Sequence, residues 1–319
     1  MILTPEVLTI FILNALFAFF GIIVFVLSLN IYRKWNINSL TTLQYKLEKQ
    51  SYLAATIIKF IFVIKVPLFL FFVFTLDKIS NVLTGAMCGA GVVDASIYAT
   101  PLFVLKIINL YIFAYWIVLH NEDTKHENQP FVKQKFALYI FAFFLFMAEL
   151  ILEGVMFSSI EIDKMVSCCG TLYSSSSTSA ISSIFTLDTT TLLTVFYGNF
   201  LLLFIFYIFK NKYLFALSNL LFIISSLVSL IVFFGTYIYE LPSHHCPFCF
   251  LQSEYYFVGY LIYILLFLGT FYGLVVAFLN VKDSLRDKFY QKSIIFNTLY
   301  VILLTSFVMI YYIKNGVWL

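Results

Sequence analysis

The sequence predicts an all-α, polytopic membrane protein: a bundle of about eight transmembrane helices with both termini on the extracytoplasmic side. Three observations predict it. They are an apolar excess that no soluble domain could bury, apolar runs that recur at membrane-spanning length, and a one-sided distribution of lysine and arginine.

Of the 319 residues, 62% are hydrophobic and 11% charged, whereas soluble domains carry roughly 45–50% and about 25%. A soluble globule has too little interior to hide that surface, so the solvent must be lipid. A bilayer core about 30 Å thick needs about 20 apolar residues per helix. Such runs occur near 6–30, 51–77, 97–120, 136–157, 189–209, 214–239, 256–281 and 294–313, within a single transmembrane domain over residues 1–319. The first run has no basic segment before it, exceeds a signal-peptide core, and is followed by Arg33 and Lys34. It reads as a retained helix with its N-terminus outside.

With that start, thirteen basic residues fall in the four inside loops, from Arg33–Lys49, Lys125–Lys135 and Lys210–Lys212 to Lys282–Lys292. Only Lys78, Lys164 and Lys314 fall outside. The positive-inside rule then fixes the orientation; the expected location is a bacterial inner (plasma) membrane, with lipid as the first partner. The inside loops are too short for an ATPase or kinase domain, and no Walker-type loop, HExxH or GxSxG occurs. Energy-driven transport would need further transporter subunits, and nothing calls for nucleic acid. The longest outside segment, 158–188, contains YSSSSTSAISS and reads as a flexible serine-rich loop.

Applied to the cysteines, this topology puts all five on the extracytoplasmic face. Cys88 lies in GAMCGAG, Cys168 and Cys169 in VSCCG, and Cys246 and Cys249 in SHHCPFC beside His244 and His245. In a bacterium that face is oxidising. Pro247 suits the first position of a helix, which would put Cys246 at the N-cap of span seven and Cys249 in its first turn. Backbone N–H groups there stabilise a thiolate, and two sulfurs so placed can share one ion. As cations the histidines favour the thiolate; as neutral imidazoles they ligate metal. A C-x-x-C disulfide closes too short a loop to be a useful staple. One between adjacent Cys168 and Cys169 would be strained.

A C-x-x-C at the outer end of a transmembrane helix resembles the bacterial DsbB and vitamin K epoxide reductase families of membrane thiol oxidoreductases. The resemblance implies a catalytic pair, Cys246 and Cys249, oxidised by a quinone. It also implies a loop pair, Cys168 and Cys169, that passes disulfides to a periplasmic thioredoxin-like partner. Paired cysteines beside a span also resemble copper- and mercury-handling membrane proteins. That likeness implies a soft-metal site drawing on His244, His245, Cys246, Cys249, Cys88 and Met87, served by a metal-carrier protein. Met87 and Met165 each stand near a cysteine, and thioethers suit copper(I) as thiolates do. Three functions therefore stay open: a membrane thiol-disulfide oxidoreductase, which the sequence favours, a copper or mercury binding or transport protein, and a membrane subunit of a larger complex with structural disulfides.

Five ionisable residues fall within spans: Lys59, Lys65, Lys106, Glu149 and Glu153. Charges there are costly unless paired or solvated. Lys65, Lys106 and Glu149 share one depth on spans two, three and four, and Glu149 and Glu153 share a helix face. They predict either an ion-pair network that binds helices together or a polar cavity for a proton, a quinone head or an ion.

Overall fold

A computed structural model describes residues 4–36, 39, 41–161, 165–166, 188–279 and 283–319. Among them the regular structure is helical, without strands. Eight helices are long and apolar enough to cross a membrane. These are α1 (Pro5–Lys34), α2 (Thr42–Ser80), α4 (Ala99–Asp123), α5 (Val132–Ser159), α6 (Thr189–Ile208), α7 (Lys212–Tyr239), α8 (Val258–Phe278) and α9 (Asp283–Asn315), with a short α3 (Gly89–Asp94) between the second and third spans.

Local chemistry sets many of the ends. Thr4, Thr41, Asp188 and Asn211 each accept the backbone N–H three residues on, capping α1, α2, α6 and α7. Pro5 occupies the first turn of α1. The helices α2 and α9 begin well before their apolar runs, at Thr42 and Asp283, because polar residues continue the helix into the aqueous layer.

The contacts gather into two compact units, one of residues 1–84 and 92–164, the other of residues 85–91 and 165–319. In the first, α1 packs on α2, α2 on α4, α4 on α5 and α5 on α1, a closed ring of four helices. The residues α1 buries are Val7, Ile10, Asn14, Phe17, Gly21, Val24, Ser28 and Ile31, alternately three and four apart. That is the seam of left-handed bundle packing. At Gly21 the chain meets Phe143 and Phe146, and the Tyr139 hydroxyl donates to the Gly21 carbonyl at 2.9 Å. Phe62 stacks on Phe113 below Trp116.

The second unit is also a four-helix ring, with α6 on α7, α7 on α8, α8 on α9 and α9 on α6. Polar contacts bind its centre. Asn219 Oδ1 accepts from Asn297 at 3.0 Å, and the Ser293 hydroxyl donates to the Gly269 carbonyl at 2.7 Å. Gly269 and Gly273 lie directly against the Asn297 and Asn219 side chains, where any Cβ would collide. Such small-residue packing brings helices close where lipid supplies no hydrophobic drive. Over Leu230–Phe234 α7 widens into a π turn, a feature common near functional sites.

Candidate metal centre

The second unit brings together Cys88, Cys246 and Cys249. Glu240, in a left-handed conformation, ends α7, and the chain folds back over the helix end. There the Tyr239 hydroxyl donates to the Cys246 carbonyl and accepts the Phe250 amide N–H, holding both ends of the C-P-F-C turn. From α8, the Tyr263 hydroxyl donates to the Pro247 carbonyl at 2.9 Å. Cys249 opens a 3₁₀ turn, Cys249–Leu251, and Phe250 is pressed against Gly259 at the start of α8.

Cys88 arrives on a separate segment. Gln252 donates its side-chain N–H to the Met87 carbonyl at 3.1 Å, tying that segment to the C-x-x-C turn. Gly85 has φ +91 and lies against the Val166 carbonyl, so that a Cβ there would approach to 2.7 Å. Only glycine meets both demands at this position.

The result is a buried sulfur cluster. The Sγ atoms of Cys88 and Cys246 are 3.5 Å apart, and all three sulfurs lie within 4.8 Å of one another. The three residues are 0%, 1% and 6% exposed. The Phe248 amide N–H points at Cys246 Sγ from 3.4 Å. Metal–thiolate bonds of about 2.3 Å put sulfurs sharing one ion roughly 3.8–4.0 Å apart, so small side-chain shifts complete a coordination shell.

The neighbours differ from the sequence-based expectation in several ways. Eight residues separate Cys249 from Val258, where α8 begins; the 3₁₀ turns Cys249–Leu251 and Ser253–Tyr255 and the left-handed Tyr256 and Phe257 come first. Cys246 and Cys249 are therefore not at the N-cap and first turn of a membrane helix. His245 places Nδ1 3.1 Å from the Ile231 carbonyl in the π turn. His244 packs edge-on against Tyr239 with its Nε2 buried and without a hydrogen-bond partner. Burial holds its imidazole below the usual histidine range, and the nearby Cys88 only partly opposes this. The Met87 side chain is exposed. Cys168 and Cys169, with most of the serine-rich segment, lie outside the described residues. Tyr239 and Gln252, which position the cluster, carry no sequence signal that separates them from other polar residues at membrane boundaries.

The first unit brings four of the five intramembrane charges together, while Lys59 donates to Asn121 at 3.1 Å. Lys65 and Lys106 each place Nζ 2.9 Å from Glu149 Oε1, and Lys106 also lies 3.0 Å from Glu153 Oε1. Asn109 donates to Glu149 Oε2 at 2.6 Å, and Asn14 donates to Glu153 Oε2 at 2.7 Å while accepting from Lys65. A small cavity is lined by these four charges together with Phe72 and Phe113. Two ammonium groups face two carboxylates, so the network is formally neutral. Asn14 and Asn109 belong to it although nothing in the sequence sets them apart from the other asparagines. Comparison with protein-family models, curated proteins and solved structures finds no match for this chain.

Proposed function

We propose that this is a membrane protein that binds copper(I) on the thiolates of Cys88, Cys246 and Cys249. One observation carries the reading: three cysteine sulfurs from two distant segments converge in a buried pocket. Soft thiolates select a soft d¹⁰ cation, and three at this spacing suit trigonal copper(I). Each thiol that binds releases its proton, and the copper stays copper(I) throughout. Burial argues against disulfide exchange with a protein partner, because such a partner must reach a sulfur. The distribution of lysine and arginine supports an orientation with the cysteines on the extracytoplasmic side, which in a bacterium is the outer face of the plasma membrane. There a metal-carrier protein could deliver or collect the ion.

A second reading has its own support. The 3.5 Å separation of the Cys88 and Cys246 sulfurs leaves only a small movement to a disulfide, which suits a thiol oxidoreductase that keeps the exchange inside the trio.

Competition for copper(I) against bicinchoninate, in reduced full-length protein carrying Cys168→Ser and Cys169→Ser, tests the proposal. One ion per chain should bind, with three sulfur neighbours in X-ray absorption, and Cys246→Ser should weaken binding at least 100-fold. Absence of binding, or binding indifferent to Cys246→Ser, defeats the metal reading and leaves the redox one.

A further inference from the structure

We infer that Met87 and Met165 form a copper(I) capture pair at the surface over the thiolate cluster, an inference that rests on the copper reading above. Methionine is among the side chains most often buried, yet these two are 71% and 79% exposed. The residue that follows each of them is buried, Cys88 and Val166 respectively. Each thioether therefore stands out next to a side chain that packs into the protein.

That backbone is held from both sides. The Val166 carbonyl lies against Gly85, and Met165 Cγ would come within 3.6 Å of a Cβ on that glycine. The Gln252 side chain donates to the Met87 carbonyl at 3.1 Å. Met87 and Met165 thus leave from two stretches of chain in direct contact. Met87 is also bonded to Cys88, so their Cα atoms are about 3.8 Å apart, and Cys88 Sγ is 3.5 Å from Cys246 Sγ.

The donor chemistry gives this placement a direction. A thioether is a soft, neutral ligand that takes copper(I) or silver(I) and has little affinity for zinc(II). It binds more weakly than a thiolate and leaves the ion its positive charge. An ion caught at the surface is then drawn inward by anionic sulfur. In the transfer a copper–thioether bond breaks as a copper–thiolate bond to Cys88 forms, the thiol proton leaves to water, and no electron moves. The capture pair would select copper(I) at entry, before the thiolates, which also accept other thiophilic cations, are reached.

Loading kinetics test the inference. Full-length reduced protein carrying Cys168→Ser and Cys169→Ser is mixed with the copper(I)–bicinchoninate complex, and loss of the complex's colour is followed in a stopped-flow instrument. Met87→Leu combined with Met165→Leu keeps size and apolarity, so a mere lipid contact survives it. Loading should slow at least tenfold in the double variant, final stoichiometry and equilibrium affinity should stay within about twofold, and cadmium(II) loading should keep its rate. Equal copper(I) rates in the two proteins overturn the capture pair while leaving the thiolate site standing. A tenfold fall in equilibrium affinity also overturns it, by making a methionine part of the final shell. If the parent protein takes up no copper(I), the thiolate reading fails and the capture pair fails with it.

Discussion

The Tyr239 hydroxyl donates to the Cys246 carbonyl and accepts from the Phe250 amide, so one side chain at the end of α7 spans the turn that presents two of the three sulfurs. Tyr239→Phe keeps the ring, with its stack on Phe250 and its edge contact with His244, and removes only the bridge. The buried carbonyl and amide are then left without that partner, at a cost of about 1–3 kcal/mol. The melting temperature should fall by a few degrees, and Cys246 should react several-fold faster with maleimide in the reduced, metal-stripped protein. An unchanged rate would mean that the turn holds its shape by packing alone. At this scale the sequence was informative about which atoms matter and silent about what holds them. Cysteine and histidine are few and chemically distinct, so SHHCPFC was legible. Tyr239 is one tyrosine of 22, and its role depends on a chain reversal at Glu240 that no short-range pattern announces.

Spans can be read from the length of apolar runs, and the described residues hold eight helices long and apolar enough to cross a membrane. Their ends are less legible, because hydropathy reports where lipid begins and not where the backbone stops being helical. The stretch CFLQSEYYF shows the consequence: with Pro247 ahead of it, it reads as the opening of the seventh helix, yet it forms two 3₁₀ turns before α8 starts at Val258. The π turn at Leu230–Phe234 is equally hidden, since LIVFF has the composition of any buried helical stretch. Gly259 is where the 3₁₀ segment meets α8, with Phe250 and Leu251 occupying the space of a side chain. Gly259→Ala should therefore push the Cys249 turn away from the helix. Overpacking of this kind costs typically 1–3 kcal/mol. Weaker copper(I) binding with unchanged helical circular dichroism is the expected result. If binding is unaffected, Phe250 can move without carrying Cys249, and the sulfur cluster is less rigidly framed than its contacts imply.

At the scale of the whole molecule, the membrane class followed from composition alone, while the division into two four-helix units did not, because hydropathy counts spans without saying which ones touch. The intramembrane charges show how far sequence reaches towards such contacts. Shared depth and the high cost of a lone charge in lipid predicted that Lys65 or Lys106 pairs with Glu149; in the structure both do, and Glu153 shares Lys106. The asparagines that complete the network come from α1 and α4, so side chains of all four helices of the first unit meet at one point. Glu149→Gln removes the charge that two ammonium groups share, and breaking a buried pair typically costs 3–5 kcal/mol. Lys106→Met removes one of the ammonium groups and restores neutrality to what is left, with Lys65 facing Glu153 across Asn14. The double variant should therefore melt closer to the parent than the sum of the two single losses allows, with a coupling of about 1–3 kcal/mol. Thermal unfolding of the four proteins in the same detergent measures it. Additive losses would show that the charges act separately and that the four helices are held by their packed aromatic and small side chains, with the network only occupying the space between them.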